Sequence, residues 1–182
     1  MKVKLTNVRL AFPQLFEARS FNGDDNAAFS ASFIMEPDHA SVDELAKATD
    51  VVGKEKWGAK WDQIKKELTL KDKLPLHDGD IKANYAGFAG NVFVNARNKT
   101  RPSVVDRDTT PLVLADGKPY AGCYVIASIE LWAQDNNYGK RINATLRGVQ
   151  FLRDGEAFSG GAAANEDEFE AISDDELLAG LV

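Results

Sequence analysis

Between residues 120 and 152, apolar side chains recur at every second position: Val125, Ala127, Ile129 and Leu131, then Ile142, Ala144 and Leu146, with Asn136-Asn137 between the two runs. A period of two puts alternate side chains on opposite faces of an extended chain, so residues 120–133 and 139–152 read as two strands of a hairpin, each with one buried face. Residues 2–10 (Val3, Leu5), 27–36 (Phe29, Ala31, Phe33, Met35) and 92–98 (Val92, Val94, Ala96) show the same alternation. Shorter strand-like pieces stand at 103–106 and 111–115, and Asn22-Gly23-Asp24-Asp25-Asn26 and Asp116-Gly117 supply turns, the latter read as a hairpin turn.

The period changes once. Ser41 followed by Glu44 makes a capping box ahead of Val42, Leu45 and Ala48, and after Gly53 a second amphipathic piece places Trp57, Trp61, Ile64 and Leu68 on one helical face. That stripe predicts a face packed on the sheet, with Lys54, Lys56, Lys60, Lys65 and Lys66 on the solvated side. Residues 69–91, with Pro75, Gly79, Gly87 and Gly90, hold no sustained period and form a long connection carrying Tyr85 and Phe88. The fold class expected is therefore mainly β with a helical insert at about 40–68. Short strands closing around a small core favour an OB-fold-like five-stranded antiparallel barrel, closed or partly open.

Length and composition set the outer limits. With 182 residues, 44% of them hydrophobic, one core domain is expected over 1–158. Residues 159–182 are expected to form a flexible, disordered acidic tail. The last seventeen residues hold Glu166, Asp167, Glu168, Glu170, Asp174, Asp175 and Glu176 with no Lys or Arg, so the 28 acidic and 22 basic residues divide into a body of about +1 and a tail of −7. The single cysteine, Cys123, reads as a small buried hydrophobe, and His39 and His77 as surface residues without a ligand cluster around them, so no metal or cofactor is expected. No apolar leader follows Lys2 and Lys4 and no run of 18 apolar residues occurs, which predicts a cytoplasmic protein without membrane contact.

The polar faces of the strands carry the chemistry. Opposite Val94 and Ala96 lie Phe93, Asn95, Arg97 and Lys99; opposite Val125 to Leu131 lie Tyr124, Ile126, Ser128, Glu130 and Trp132; opposite Ile142 to Leu146 lie Arg141, Asn143, Thr145 and Arg147, and Gly148 permits a bulge. Rings beside cations are what base stacking and phosphate contact require, each stacked ring contributing roughly 1–3 kcal/mol regardless of base. The expected nucleic-acid-binding set is Tyr85, Phe88, Phe93, Asn95, Arg97, Lys99, Arg101, Tyr124, Trp132, Tyr138, Lys140 and Arg141. Single strands are favoured over duplex, whose bases are already stacked.

The segments Leu10-Ala11-Phe12-Pro13-Gln14-Leu15-Phe16, Tyr85 to Lys99, Tyr120-Ala121-Gly122-Cys123-Tyr124 and Gly148 to Gly155 resemble those of the bacteriophage single-stranded-DNA-binding proteins, one OB-fold with an acidic C-terminal tail. The resemblance spans most of the chain. It implies sequence-independent ssDNA binding and protection in phage replication or recombination, without enzymatic activity, and a tail that recruits replication or recombination proteins and restrains binding. The tail residues concerned are Glu166, Asp167, Glu168, Phe169, Glu170, Asp174, Asp175, Glu176, Leu177 and Leu178. The chain closes Leu177-Leu178-Ala179-Gly180-Leu181-Val182 and lacks the terminal Phe of cellular relatives, so the same docking pocket is not implied; Phe169 and Ile172 among the acids, with Leu177, Leu178 and Leu181 following at short helical spacing, point to a short amphipathic helix on a partner. Two rival readings stand beside this one. Asp78, Asp80, Asp106 and Asp108 supply paired carboxylates for a metal-dependent nuclease. Alternatively, a non-catalytic structural or regulatory phage protein would use the outer sheet face as a homodimer interface.

Overall fold

A computed structural model describes residues 1–20, 26–158 and 171–180. Its strands are β1 (Lys2–Arg19), β2 (Ala28–Met35), β3 (Leu76–Asp78), β4 (Val92–Asn98), β5 (Ser103–Val105), β6 (Tyr124–Asn136) and β7 (Gly139–Arg153). Its helices are α1 (Ala40–Trp57), α2 (Trp61–Leu70) and a short α3 (Asp174–Leu178). Five strands close on themselves in the order β1-β2-β4-β7-β6 and back to β1. All neighbours in that ring are antiparallel except β4 and β7, which run parallel and meet at Arg97 and Thr145. This is the five-stranded, OB-fold-like barrel that the alternation implies, with β3 added beside β4 and β5 beside β7.

The inward residues follow the pattern directly. Val125, Ala127, Ile129 and Leu131 of β6 and Ile142 and Leu146 of β7 are buried together with Phe33, Val94, Leu5 and Leu10. The phase of β7 then slips at Gly148, where the pairing with β6 shifts between Ser128 and Ile129 and the core residues become Val149 and Phe151. A Cβ on Gly148 would lie 3.1 Å from the Ser103 carbonyl oxygen, so the small residue lets β5 come alongside. Cys123 is fully buried, and burial pushes its thiol up to about 11.

Several expected boundaries move. β1 continues to Arg19 instead of ending at residue 10, with its register against β2 broken between Ala11 and Gln14. Residues 111–115 form no strand; Pro111 makes an isolated bridge to Val105, and Leu114–Asp116 is a 3-10 turn closed by Gly117 at φ +69, so Asp116-Gly117 does not turn a hairpin. β6 begins at Tyr124, four residues later than the alternation suggested. The α1 cap is His39, whose Nδ1 accepts from Ser41 N (3.0 Å), while the Ser41 hydroxyl is buried and accepts from Thr6 N (3.3 Å). A packing role thus replaces the expected capping box.

α1 and α2 close the barrel with Leu45, Ala48, Val52, Trp61, Ile64 and Leu68, so the helical stripe does pack on the sheet. Trp57 and Trp61 stack at 5.7 Å and 8°, and the Trp61 N–H donates to Asp50 (3.0 Å), which also holds Lys65 (2.8 Å). Gly53 lies inside α1 directly beneath that indole, and a Cβ there would overlap Cδ2 and Cε3. Helix propensity alone makes Gly53→Ala stabilising by about 1 kcal/mol. The pinned ring reverses the sign: overpacking of roughly 1–3 kcal/mol is expected, so urea unfolding should show a lower midpoint for Gly53→Ala than for the parent.

Candidate nucleic-acid interface

The outer faces of β2, β4, β7 and β6 form an open groove of about 1060 Å³ across the β4–β7 seam. Ser30 and Ser32 of β2, Asn95 and Arg97 of β4, and Arg141, Asn143 and Thr145 of β7 line its middle. Phe12 and Tyr85 stand at one end, 45% and 49% exposed, with their rings edge to face at 5.2 Å. Trp132 stands at the other end, 46% exposed, its orientation fixed by an Nε1–H donated to Thr145 Oγ1 (3.0 Å). Phe12 is on β1 and Trp132 on β6.

The groove is electrostatically one-signed. Lys82, Arg97, Lys99 and Arg141 line it together with His77, and no carboxylate does among the described residues. Arg97 donates to the Asn26 carbonyl (2.6 Å), which holds the guanidinium against the chain entering β2. Arg141 Nε is buried without a hydrogen-bond partner. Lys82 Nζ lies 5.0–5.6 Å from the rings of Phe93, Phe12 and Phe88. Five to six ångströms from a ring centroid is cation–π range, which holds the ammonium at the aromatic end.

Residues 1–178 match the family described as Enterobacter phage Enc34, ssDNA-binding protein. The chain belongs to that family. Protein p50 of Acyrthosiphon pisum secondary endosymbiont phage 1 is 46% identical over 186 residues, covering 98% of this chain and all of that one. Among solved structures, the single-stranded-DNA-binding protein from bacteriophage Enc34 in complex with ssDNA superposes with a TM-score of 0.73 at 26% identity, covering 87% of this chain and 89% of that chain. The bacteriophage T7 single-stranded-DNA-binding protein gp2.5 shares the fold, with a TM-score of 0.57 at 12% identity over 94% of this chain and 99% of its own.

Against this family fold, the expected site residues divide into three groups. Tyr85, Asn95, Arg97, Lys99, Trp132 and Arg141 come together in the groove. Tyr138, 94% exposed, and Lys140, whose Nζ is 3.7 Å from Asp135, lie further along the β6–β7 hairpin at its tip. The Trp57 indole N–H (2.9 Å) and then Lys140 hold the Asp135 carboxyl below its ordinary value, tying this end of the hairpin to α1.

The third group is not brought to the groove surface. Phe93 does point to the outer side with Asn95 and Arg97, but it and Phe88 are each only 1% exposed, closed into a second small core with Ala11 and Ile34. The reading of both as exposed stacking rings is corrected: the loop after β3 folds Phe88 over Phe93 at 5.0 Å. Tyr124 lies at the opposite end of β6 from Trp132, its face occupied by the Arg153 guanidinium at 3.7 Å. Arg101 sits over Phe16 at 5.9 Å, away from the groove lining. His77 is a groove residue and not a free surface one, with its side chain 13% exposed and Nδ1 2.7 Å from Asp72.

Sequence reasoning missed Phe12, Lys82, Gln14 and His77 as groove residues. Phe12 is in phase with Val8 and Leu10 and so reads as core. The bulge after Ala11 turns it outward, with Phe12 at φ +46, and Pro13 beside it was the available signal. The four carboxylates of the nuclease reading are used in turns: Asp78 caps Asp80 N (2.9 Å), Asp80 accepts from Gly90 N (2.8 Å), Asp106 from Arg107 N (2.8 Å) and Lys118, and Asp108 from Thr110 N (3.0 Å). No three metal-ligating side chains gather among the described residues. Of the tail, Glu166 to Glu170 lie outside the described residues, while Asp174, Asp175 and the 85%-exposed Leu178 belong to α3.

Because Phe93 is covered on both sides, Phe93→Ala is expected to act on folding first. A loss of about 3–5 kcal/mol in unfolding free energy, measured in urea, is the outcome for a buried ring.

Proposed function

We propose that this chain binds single-stranded DNA without reading its sequence, with the strand lying in the groove across β2, β4, β7 and β6. The observation that carries this reading is a groove lined by exposed rings and four cations, and by no carboxylate among the described residues. Family membership and the ssDNA-bound Enc34 structure support it. Phe12 with Tyr85 and Trp132 stack on bases; Lys82, Arg97, Lys99 and Arg141 neutralise phosphates; Asn95 and Asn143 meet base edges or sugars. Tyr138 and Lys140 at the hairpin tip extend the contact. The role is protection of single strands in phage replication or recombination, without catalysis.

The acidic tail acts on that groove and on protein partners. Its seven carboxylates compete with phosphates for the same cations, and Leu177 and Leu178 give a partner an apolar handle. Deleting residues 159–182 is expected to tighten oligothymidine binding at low salt; unchanged affinity would leave recruitment alone to the tail.

Oligothymidine should quench tryptophan emission in the intact protein and fail to do so in Trp132→Leu, because Trp61 is buried and Trp57 is stacked on it. The logarithm of the binding constant should fall with the logarithm of salt concentration at a slope of roughly −3, from about 0.7 per phosphate at four cations. A salt-independent affinity, or no quenching and no mobility shift with oligothymidine, defeats the reading.

A further inference from the structure

Residues 154–158 lie back across the barrel after β7 ends. Tyr120 Oη donates to Asp154 Oδ1 (2.7 Å), Arg9 Nη2 donates to the Glu156 carbonyl (2.8 Å), and the Phe158 N–H donates to the Ala121 carbonyl (2.9 Å). Gly122, at φ +103, passes so close to the Glu156 carbonyl oxygen that a Cβ there would overlap it. Arg9 is held in turn by its Nε–H to the Gly122 carbonyl (3.0 Å), and its guanidinium stacks on the Phe158 ring at 4.2 Å.

The ring of Phe158 also reaches the loop that makes one end of the groove. It packs against the small core of Ala11, Ile34, Phe88 and Phe93, and a Cβ on Gly87 would come 2.5 Å from Phe158 Cζ. Gly87 itself sits at φ +87, so both its conformation and its missing side chain fit it to this contact. The hydrogen bonds within 80–91 are short-range: Ala83 N donates to Asp80 O, Tyr85 N to Lys82 O, Phe88 N to Tyr85 O, Asn91 N to Phe88 O, Asn91 Nδ2 to Gly87 O and Gly90 N to Asp80 Oδ1, and Gly79 N donates to Asn91 O at the loop's foot. They give the loop its shape, while Phe88 below and Phe158 beside it fasten that shape to the barrel.

We infer that Phe158 is a positioning residue for the ssDNA groove, holding the 85–91 loop so that Tyr85 stands at its end beside Phe12. The inference rests on the ssDNA reading of the groove. A loop already ordered before binding loses less freedom when DNA arrives, so releasing the ring weakens the complex without removing any DNA contact. The acidic tail starts at the next residue. Whatever draws Phe158 out of its seat therefore loosens DNA, and by reciprocity bound DNA tightens the seat.

The test is a double-mutant cycle in the full-length chain, with oligothymidine affinity measured for Phe158→Ala, Tyr85→Ala and the two combined, and folding followed by circular dichroism. Phe158→Ala is expected to weaken binding about fivefold or more, as for loss of one stacked base. In the Tyr85→Ala background the same change is expected to cost less than twofold, because its effect passes through that ring. Phe158→Leu, which keeps an apolar wedge against Gly87, should recover most of the loss. Independent losses at the two sites, or parental affinity in Phe158→Ala, overturn the inference while leaving ssDNA binding in place; a parent protein that ignores oligothymidine overturns the reading beneath it. Should Phe158→Ala fail to fold, hydrogen exchange in the parent decides: saturating oligothymidine must slow exchange of the Phe158 amide, and an unchanged rate in a protein that binds sinks the coupling.

Discussion

The contact between β4 and β7 is the constraint on which the groove depends. The other neighbours in the ring share long antiparallel ladders, whereas these two are parallel and meet at Arg97 and Thr145 alone. Side chains and neighbouring segments complete the closure: Asn98 Nδ2 donates to the Leu146 carbonyl (2.8 Å), and the Ile142 N–H donates to the Lys73 carbonyl (3.1 Å) just after α2. The helical insert is thus part of the barrel wall as well as its plug. Closing the ring removes free sheet edges, and it also brings two sets of outward side chains together. Asn95 and Arg97 on one strand face Arg141, Asn143 and Thr145 on the other only because the strands meet there.

A second layer of packing on the outside of the barrel makes the aromatic end of the groove. Ala11, Ile34 and Phe93 point outward from β1, β2 and β4, where a one-layer barrel would leave them wet. The loop after β3 covers them with Phe88, and the exposed rings are built on that buried one: Phe12 lies 5.8 Å from Phe88 and Tyr85 6.5 Å. Buried and exposed aromatics therefore have separate tasks at adjoining positions. Rings that pack fix the height and tilt of the rings left free.

What was legible in the sequence follows from the same division. β6 and β7 read correctly because their inner faces meet one continuous core, so a period of two separates Val125 to Leu131 from Tyr124 to Trp132 without ambiguity. Trp61, Ile64 and Leu68 were equally plain from helical spacing. Asn95, Arg97, Lys99, Trp132 and Arg141 were found because they oppose core positions on strands that do adjoin. Phe93 has the same pattern and a different fate, since a loop remote in sequence covers it, and no local period encodes that. Tyr124 is occupied by Arg153, which neighbours it only through β6–β7 pairing, and Phe12 is turned outward by a bulge that shifts the period itself.

Net charge is a poor guide to what this surface attracts. The chain carries −6 overall, and its body without the last seventeen residues about +1. The described ion pairs neutralise charge elsewhere: Lys65 with Asp50, Lys118 with Asp106, Lys140 with Asp135, and Arg147 with Glu130. Lys82, Arg97, Lys99 and Arg141 take part in none of these, so positive potential is left where the rings are. At physiological salt the field of an exposed charge fades over about 8 Å. The groove therefore presents itself to a phosphate backbone as a cationic site, and a carboxylate alters that field only when it comes within about one such length. The proposed competition between tail and DNA is in this sense a matter of contact, and the last described residue before the tail, Phe158, packs against Gly87 of the 85–91 loop.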